Sequence, residues 1–159
     1  MEFFTPCWIA LSFMFGKIDP SKTYLDSIIG SVPERVQICN QVAQAAARRD
    51  IDPLLAIAIS FNETKFTFVD SDKGAKGPLG VIPKYHCPKK GKCDYIEAGL
   101  SALEKALDLG DQDLCRSLAI YNRGVEGVCK KGTSEYSYAQ YVIKIYDRLC
   151  AATDFCHTC

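Results

Sequence analysis

The sequence predicts a mainly α-helical protein, and three observations lead to this prediction. The first is the most apolar run of the chain, at residues 52–61, in which Ser60 is the one polar member after the opening pair Asp52-Pro53. An aspartate N-cap followed by a proline is typical of a helix start, and a helix this apolar must be buried nearly all round. The second is a pair of capping-box patterns. The third is that no segment offers strand alternation as persuasive as the helical periodicity.

The first two predicted helices lie between residues 31 and 63. Ser31-Val32-Pro33-Glu34 is a capping box, with Ser31 as N-cap and Glu34 three residues later, and the helix that it opens runs to about Arg49. The buried helix, from Pro53 to Glu63, follows almost at once.

Three more helices are predicted in the second half of the chain. Asp94-Tyr95-Ile96-Glu97 is the second capping box, and the periodicity behind it continues to Gly110, which we expect at the C′ position. Asp113 can cap a shorter helix, and a last helix begins near Ser134.

Length and composition indicate one globular domain. The 159 residues are 48% hydrophobic, which is enough to bury a core without a metal ion. We divide the chain into an apolar signal-like or anchor segment (1–16), a linker (17–30), the folded domain (31–150) and a tail that contains cysteines (151–159). The 19 basic and 19 acidic residues give zero net charge, so we expect no nucleic-acid partner. We also expect the protein to be a monomer. A local basic stretch either contacts an anionic polymer or is a solvated loop: Lys84, His86, Lys89, Lys90 and Lys92.

Nine cysteines in so short a chain point to an oxidising compartment. Zinc is the competing explanation, but Cys156-x-x-Cys159 is the only close pair of that kind and a second half-site is missing. We therefore expect disulfides, no bound metal and no cofactor. The short spacings from Cys87 to Cys93 and from Cys115 to Cys129 allow local closure.

The N-terminal apolar run is too short to cross a bilayer as a helix and has the character of a signal h-region. Its removal would leave eight cysteines, an even number. Glu2 stands where a signal peptide is expected to have a basic residue. The alternatives to a cleaved signal are therefore an uncleaved anchor in contact with a membrane, a virion segment and a packed N-terminal helix. We expect a protein exported to the periplasm or cell envelope, or carried in a phage virion.

Glu63 is the candidate catalytic residue. It shares a helical face with Ile59 and Ala56, and burial on that face would raise the pKa of its carboxyl group and make it a candidate general acid. The alternative is a solvated residue in the last helical turn. The following stretch, residues 71–83, contains three glycines and two prolines and must fold back as a loop, which could line a groove beside Glu63.

Tyr121, Asn122 and Tyr141 are candidates for binding a carbohydrate. Sugar-binding grooves use flat aromatic faces for the sugar ring and amides for hydroxyl and N-acetyl groups. Each of the three residues also has an ordinary explanation, in helix packing for the tyrosines and helix capping for Asn122.

Five ordered segments resemble the soluble lytic transglycosylases of the lysozyme-like superfamily, over about residues 36–149. The segments are Ala56-Ile57-Ala58-Ile59, Glu63-Thr64-Lys65-Phe66, Gly74-Ala75-Lys76-Gly77-Pro78-Leu79, Ala119-Ile120-Tyr121-Asn122 and Tyr141-Val142-Ile143-Lys144-Ile145. The resemblance implies a lysozyme-like (SLT-type) single domain in which a glycine-containing loop lines a substrate groove.

The activity that the resemblance implies is cleavage of the β-1,4 bond between N-acetylmuramic acid and N-acetylglucosamine in peptidoglycan, with formation of a 1,6-anhydro sugar. Glu63 would be the single catalytic carboxylate, and Tyr141 would lie near it. Tyr121 and Asn122 would shape the sugar groove. Thr64 stands where the family has serine, and the backbone around Gly77 and Leu79 would line the cleft.

The sequence departs from the family at Leu79-Gly80, where a Met-Gln pair is usual, so a side-chain amide contact is missing. Two other functions stay open, and the departure at Leu79-Gly80 favours the second of them. One is a lysozyme-type hydrolase that uses Asp70 or Asp72 as a second carboxylate. The other is a peptidoglycan-binding or structural module that has lost the chemistry.

Overall fold

The computed structural model describes residues 2–15, 31–68, 70–154 and 156, and within these residues it contains helices and no strand. The prediction of a mainly α protein is confirmed. The predicted linker, residues 17–30, lies outside the described residues. The helices are α1 (Phe4–Phe15), α2 (Val32–Arg48), α3 (Pro53–Thr64), α4 (Pro83–His86), α5 (Tyr95–Gly110), α6 (Leu114–Arg123) and α7 (Ser134–Ala152).

Helix α3 forms the centre of the core, because every residue from Leu54 to Phe61 is buried. It packs against α1, α2 and α7. Helix α6 lies between α5 and α7 and contacts both of them. The short helix α4 was not predicted, since four residues are too few to show a helical period.

Three aspartate caps were predicted correctly, and one serine cap was not. The carboxylates of Asp52, Asp94 and Asp113 each accept a hydrogen bond from a backbone N–H in the first turn of α3, α5 and α6. Ser31 makes no side-chain cap. Its hydroxyl oxygen instead accepts a 2.8 Å hydrogen bond from Nε of Arg35, and a bond from a charged donor competes well with a neutral N–H.

The prediction that Gly110 is a C′ residue is wrong. Helix α5 includes Gly110, and Asp111 takes the left-handed conformation with φ of 50°. Gly110 packs against α6 so closely that an added Cβ would lie 2.8 Å from Cβ of Ser117. The absence of a side chain at Gly110 therefore allows α5 and α6 to pack closely, and the reversal of the chain occurs at Asp111 instead.

The prediction of disulfides is confirmed, with four in the described residues: Cys7–Cys39, Cys87–Cys93, Cys115–Cys129 and Cys150–Cys156. Both expected local closures are among them. Cys159 lies outside the described residues.

The N-terminal apolar segment forms a packed helix, which is one of the alternatives that the sequence left open. Helix α1 is linked to α2 by the Cys7–Cys39 disulfide, and Phe3 and Leu11 are fully buried beside it. Among the described residues, no helix has both the length and the apolar character that a membrane span requires.

Candidate active site

Glu63 lies in the last turn of α3, where the buried helix reaches the surface. Its side chain is partly buried, and the helix ends at Thr64 because the next residue, Lys65, adopts a left-handed conformation with φ of 56°. Arg35 donates a 2.8 Å hydrogen bond to the carbonyl oxygen of Lys65 and so fixes the reversal. The carboxyl group is therefore carried on a rigid, capped helix end.

Tyr138 of α7 holds the carboxyl group in place. Its hydroxyl donates a 2.7 Å hydrogen bond to Oε1 of Glu63. The two residues are 75 positions apart in sequence, so the contact depends on the packing of α7 against α3.

A tight turn, residues 77–80, covers the other side of Glu63. It is closed by an antiparallel bridge in which the backbone N–H groups of Lys76 and Val81 each donate to the other residue's carbonyl oxygen, at 2.7 and 2.9 Å. Gly77 and Gly80 both have positive φ, of 72° and 65°, which is the conformation that glycine adopts without strain.

Three hydroxyl groups from α3 and α6 anchor this turn. Ser60 and Thr64 donate hydrogen bonds of 2.9 and 3.1 Å to the carbonyl oxygen of Pro78. Tyr121 donates a 2.6 Å bond to the carbonyl oxygen of Leu79. The two central carbonyl groups of the turn are thus satisfied from one side, and the turn is fixed relative to Glu63.

Gly80 approaches the carboxyl group so closely that no larger residue fits. A Cβ on Gly80 would lie 2.5 Å from Oε2 and 2.9 Å from Cδ of Glu63. Because Gly80 has no side chain, the backbone of the turn can approach the carboxyl group this closely.

Burial raises the pKa of the Glu63 carboxyl above its ordinary value. The hydrogen bond from Tyr138 and the charge of Lys65 lower it and so offset part of that rise. Burial also raises the pKa of Tyr121 and of Tyr138 well above the ordinary tyrosine value, and the Glu63 charge adds to both shifts. Both tyrosines therefore remain hydrogen-bond donors while Glu63 gains or loses a proton.

The structure brings several predicted residues together around the turn. Thr64 and Tyr121 donate hydrogen bonds to the carbonyl oxygens of Pro78 and Leu79, and Gly77 and Leu79 belong to the turn itself. The side chain of Leu79 is fully buried and packs against Gly99, so only its backbone can face a ligand.

The other predicted residues lie farther out. Asn122 is exposed on α6, beside Tyr121, and Tyr141 is 48% exposed on α7. The place beside the acid that the resemblance gave to Tyr141 is taken by Tyr138, one turn earlier. Asp70 and Asp72 are exposed in the loop after α3, and Asp70 forms a 3.4 Å ion pair with Lys76.

Sequence reasoning missed Tyr138 and the role of Ser60, although both left a signal. Tyr138 continues the buried stripe of α7 formed by Val142, Ile145 and Leu149, at spacings of four, three and four residues. Tyr141 is off this stripe. Ser60 was the only polar residue of a buried run, and a buried hydroxyl must find an acceptor.

Replacing Tyr138 by phenylalanine is expected to raise the pKa of Glu63 further, because the lost hydrogen bond stabilised the ionised carboxylate. An NMR titration that follows the side-chain carboxyl carbon of Glu63 measures this shift. Tyr141→Phe is the matched control and should leave the titration midpoint unchanged. An unchanged midpoint in Tyr138→Phe would contradict the assigned role.

Comparisons with known proteins give no relative for this site: no protein-family model, no curated protein and no solved structure matches the chain.

Proposed function

We propose that the protein is a lytic transglycosylase that cleaves the bond between N-acetylmuramic acid and N-acetylglucosamine in peptidoglycan and leaves a 1,6-anhydro end. The observation that carries the proposal is the Glu63 carboxyl, which has a raised pKa, accepts a hydrogen bond from Tyr138 and faces a glycine turn. A general acid for neutral pH requires such an environment.

Glu63 performs both proton transfers of the proposed reaction. The protonated carboxyl gives its proton to the glycosidic oxygen as the bond to the anomeric carbon breaks. The resulting carboxylate then accepts the proton of the muramoyl 6-hydroxyl as that oxygen attacks the anomeric carbon. The proton count is restored within one turnover, and no water molecule is consumed.

Tyr138 and the turn orient the acid in this reaction. The Tyr138 hydrogen bond stabilises the carboxylate that forms when the proton leaves, and the burial of Glu63 favours its return to the protonated form. The anchored turn 77–80 supports the opposite side, so the carboxyl group keeps one orientation. Asn122 and Tyr141 are exposed and are proposed to contact the sugar rings, as an amide and an aromatic face.

The cysteines support an extracytoplasmic location for this activity. Four disulfides are compatible with an oxidising compartment, and peptidoglycan lies in the cell envelope. We therefore propose that the protein acts in the periplasm or envelope, or from a phage virion.

Product analysis tests the reaction type. Purified sacculi are digested and the soluble muropeptides are examined by mass spectrometry, where an anhydro end is lighter than a reducing end by one water. Anhydro ends are the expected product. Reducing ends alone would replace the proposal with hydrolysis by a lysozyme-type mechanism, and the absence of any soluble product would leave a binding module.

A further inference from the structure

A second site candidate lies outside the Glu63 environment, in the segment between the glycine turn and α5. A cavity of about 640 Å³ opens there, and its walls include Pro83, Lys84, Pro88, Lys89, Lys92 and Tyr95. Its volume is in the range of small-ligand sites. None of these residues takes part in the chemistry proposed above.

The cavity is strongly basic, although the protein as a whole is neutral. Residues 73–93 contain six lysines and no aspartate or glutamate. Among the described residues, no salt bridge involves Lys84, Lys89 or Lys92. The next acid in the chain, Asp94, accepts hydrogen bonds from the backbone of Ile96 and Glu97 as the cap of α5. Asp94 keeps its negative charge as a cap, but the three lysines of the wall outnumber it, so the cavity carries a net positive charge that favours an external anion.

The cavity is held open by covalent structure. The Cys87–Cys93 disulfide closes a loop around Lys89, Lys90 and Lys92, and two prolines in the wall, Pro83 and Pro88, restrict the backbone further. Because a ligand need not order this loop, the cost of binding is reduced.

The cavity also adjoins the turn that packs on Glu63. Tyr95 lines the cavity and lies against Gly77, where an added Cβ would be 3.2 Å from Cγ of Tyr95. Gly80 touches Glu63, and the first cavity residue, Pro83, follows three positions later, so their Cα atoms lie at most about 11 Å apart. One polymer chain can therefore reach both places.

We propose that this lysine cavity binds the carboxylates of the peptide stem on the glycan strand that Glu63 cleaves. The inference rests on the proposed function, since the stem is covalently attached to the muramoyl sugar of the same strand. Tyr85, the neighbour of Lys84 in sequence, is 71% exposed, and the Lys84 amino group lies 5.4 Å from its ring centre. The cavity makes the enzyme select strands that still carry their peptides.

Binding to insoluble sacculi tests the proposal without interference from cleavage. Co-sedimentation of the Glu63→Gln protein is measured with intact sacculi and with sacculi stripped of their stems by an amidase. We expect about tenfold weaker binding to the stripped material at low salt, since each exposed ion pair contributes modestly. Adding Lys84→Gln, Lys89→Gln and Lys92→Gln together should remove the preference. Lys130→Gln with Lys131→Gln, on the loop before α7, is the control and should retain it.

Three results would overturn the proposal: equal binding to intact and stripped sacculi, a full preference in the triple lysine variant, or inorganic phosphate competing as well as a synthetic stem tetrapeptide. A parallel assay of the protein with Glu63 intact, on stripped glycan strands, keeps the two proposals separate. Anhydro products with no binding preference would refute the cavity alone. A binding preference with no cleavage would refute the transglycosylase and support the cavity.

Discussion

Replacing Glu63 by glutamine is expected to lower the rate of glycan-strand cleavage by about 10²–10⁴-fold, the range of general acid–base catalysis. Glutamine has nearly the same shape, and its amide oxygen can still accept the hydrogen bond from Tyr138. It cannot donate a proton to the glycosidic oxygen or take one from the 6-hydroxyl. The measurement is the rate of release of anhydro-muropeptides from sacculi.

The same substitution is expected to stabilise the protein at neutral and alkaline pH. Because the pKa of Glu63 is raised on folding, its proton contributes stability that is fully present below the ordinary value of 4.5 and is lost as pH rises through the folded-state pKa. Glutamine has no proton to lose. The free energy of unfolding of Glu63→Gln should therefore exceed that of the wild type near about pH 8, and the difference should close near about pH 4.

The control is Glu126→Gln, which changes an exposed glutamate on the loop between α6 and α7. It should not alter the cleavage rate. Undiminished cleavage by Glu63→Gln would exclude Glu63 as the acid. A stability difference that grows toward low pH would contradict the raised pKa.

Structural features that depend on residues close together in the sequence could be predicted. Asp52 and Pro53 define the start of α3, because an N-cap interacts with backbone groups only two or three residues away. The sequence also showed that Glu63 lies at the polar end of the apolar run. The prediction for Ser31 failed, although that contact is local too. Both the backbone N–H groups of the first turn and the guanidinium of Arg35 are possible donors to its hydroxyl, and Arg35 is the one that bonds it.

The contacts that complete the site could not be predicted, because they join distant parts of the chain. Tyr138 reaches Glu63 across 75 residues, and Tyr121 reaches the turn across 42. The first contact depends on how α7 packs on α3, and the second depends on how α6 packs on α5. Sequence periodicity does not specify either packing. Periodicity indicates which face of a helix is buried, but it does not specify the residue that this face meets.

Substituting Gly80 by alanine is expected to reduce cleavage by about 10²-fold, the loss that a displacement of 1 Å at an active site can cause. The new Cβ would overlap Oε2 and Cδ of Glu63, whose carboxyl group must then rotate or move. Its hydrogen bond with Tyr138 would be lost or lengthened. Positive φ at residue 80 adds about 1–2 kcal/mol of backbone strain.

Gly74→Ala separates the two effects, since Gly74 has a similar φ of 80° but an added Cβ there meets nothing within 4 Å. Gly74→Ala should lose only the stability that backbone strain costs in urea unfolding, Gly80→Ala should lose at least that much, and Gly80→Ala alone should lose cleavage. Equal activity losses in the two variants would mean that backbone strain in the loop, and not contact with Glu63, governs the rate. The contrast isolates the physical feature on which the site depends, a carboxyl group held between a tyrosine and a backbone that has no side chain.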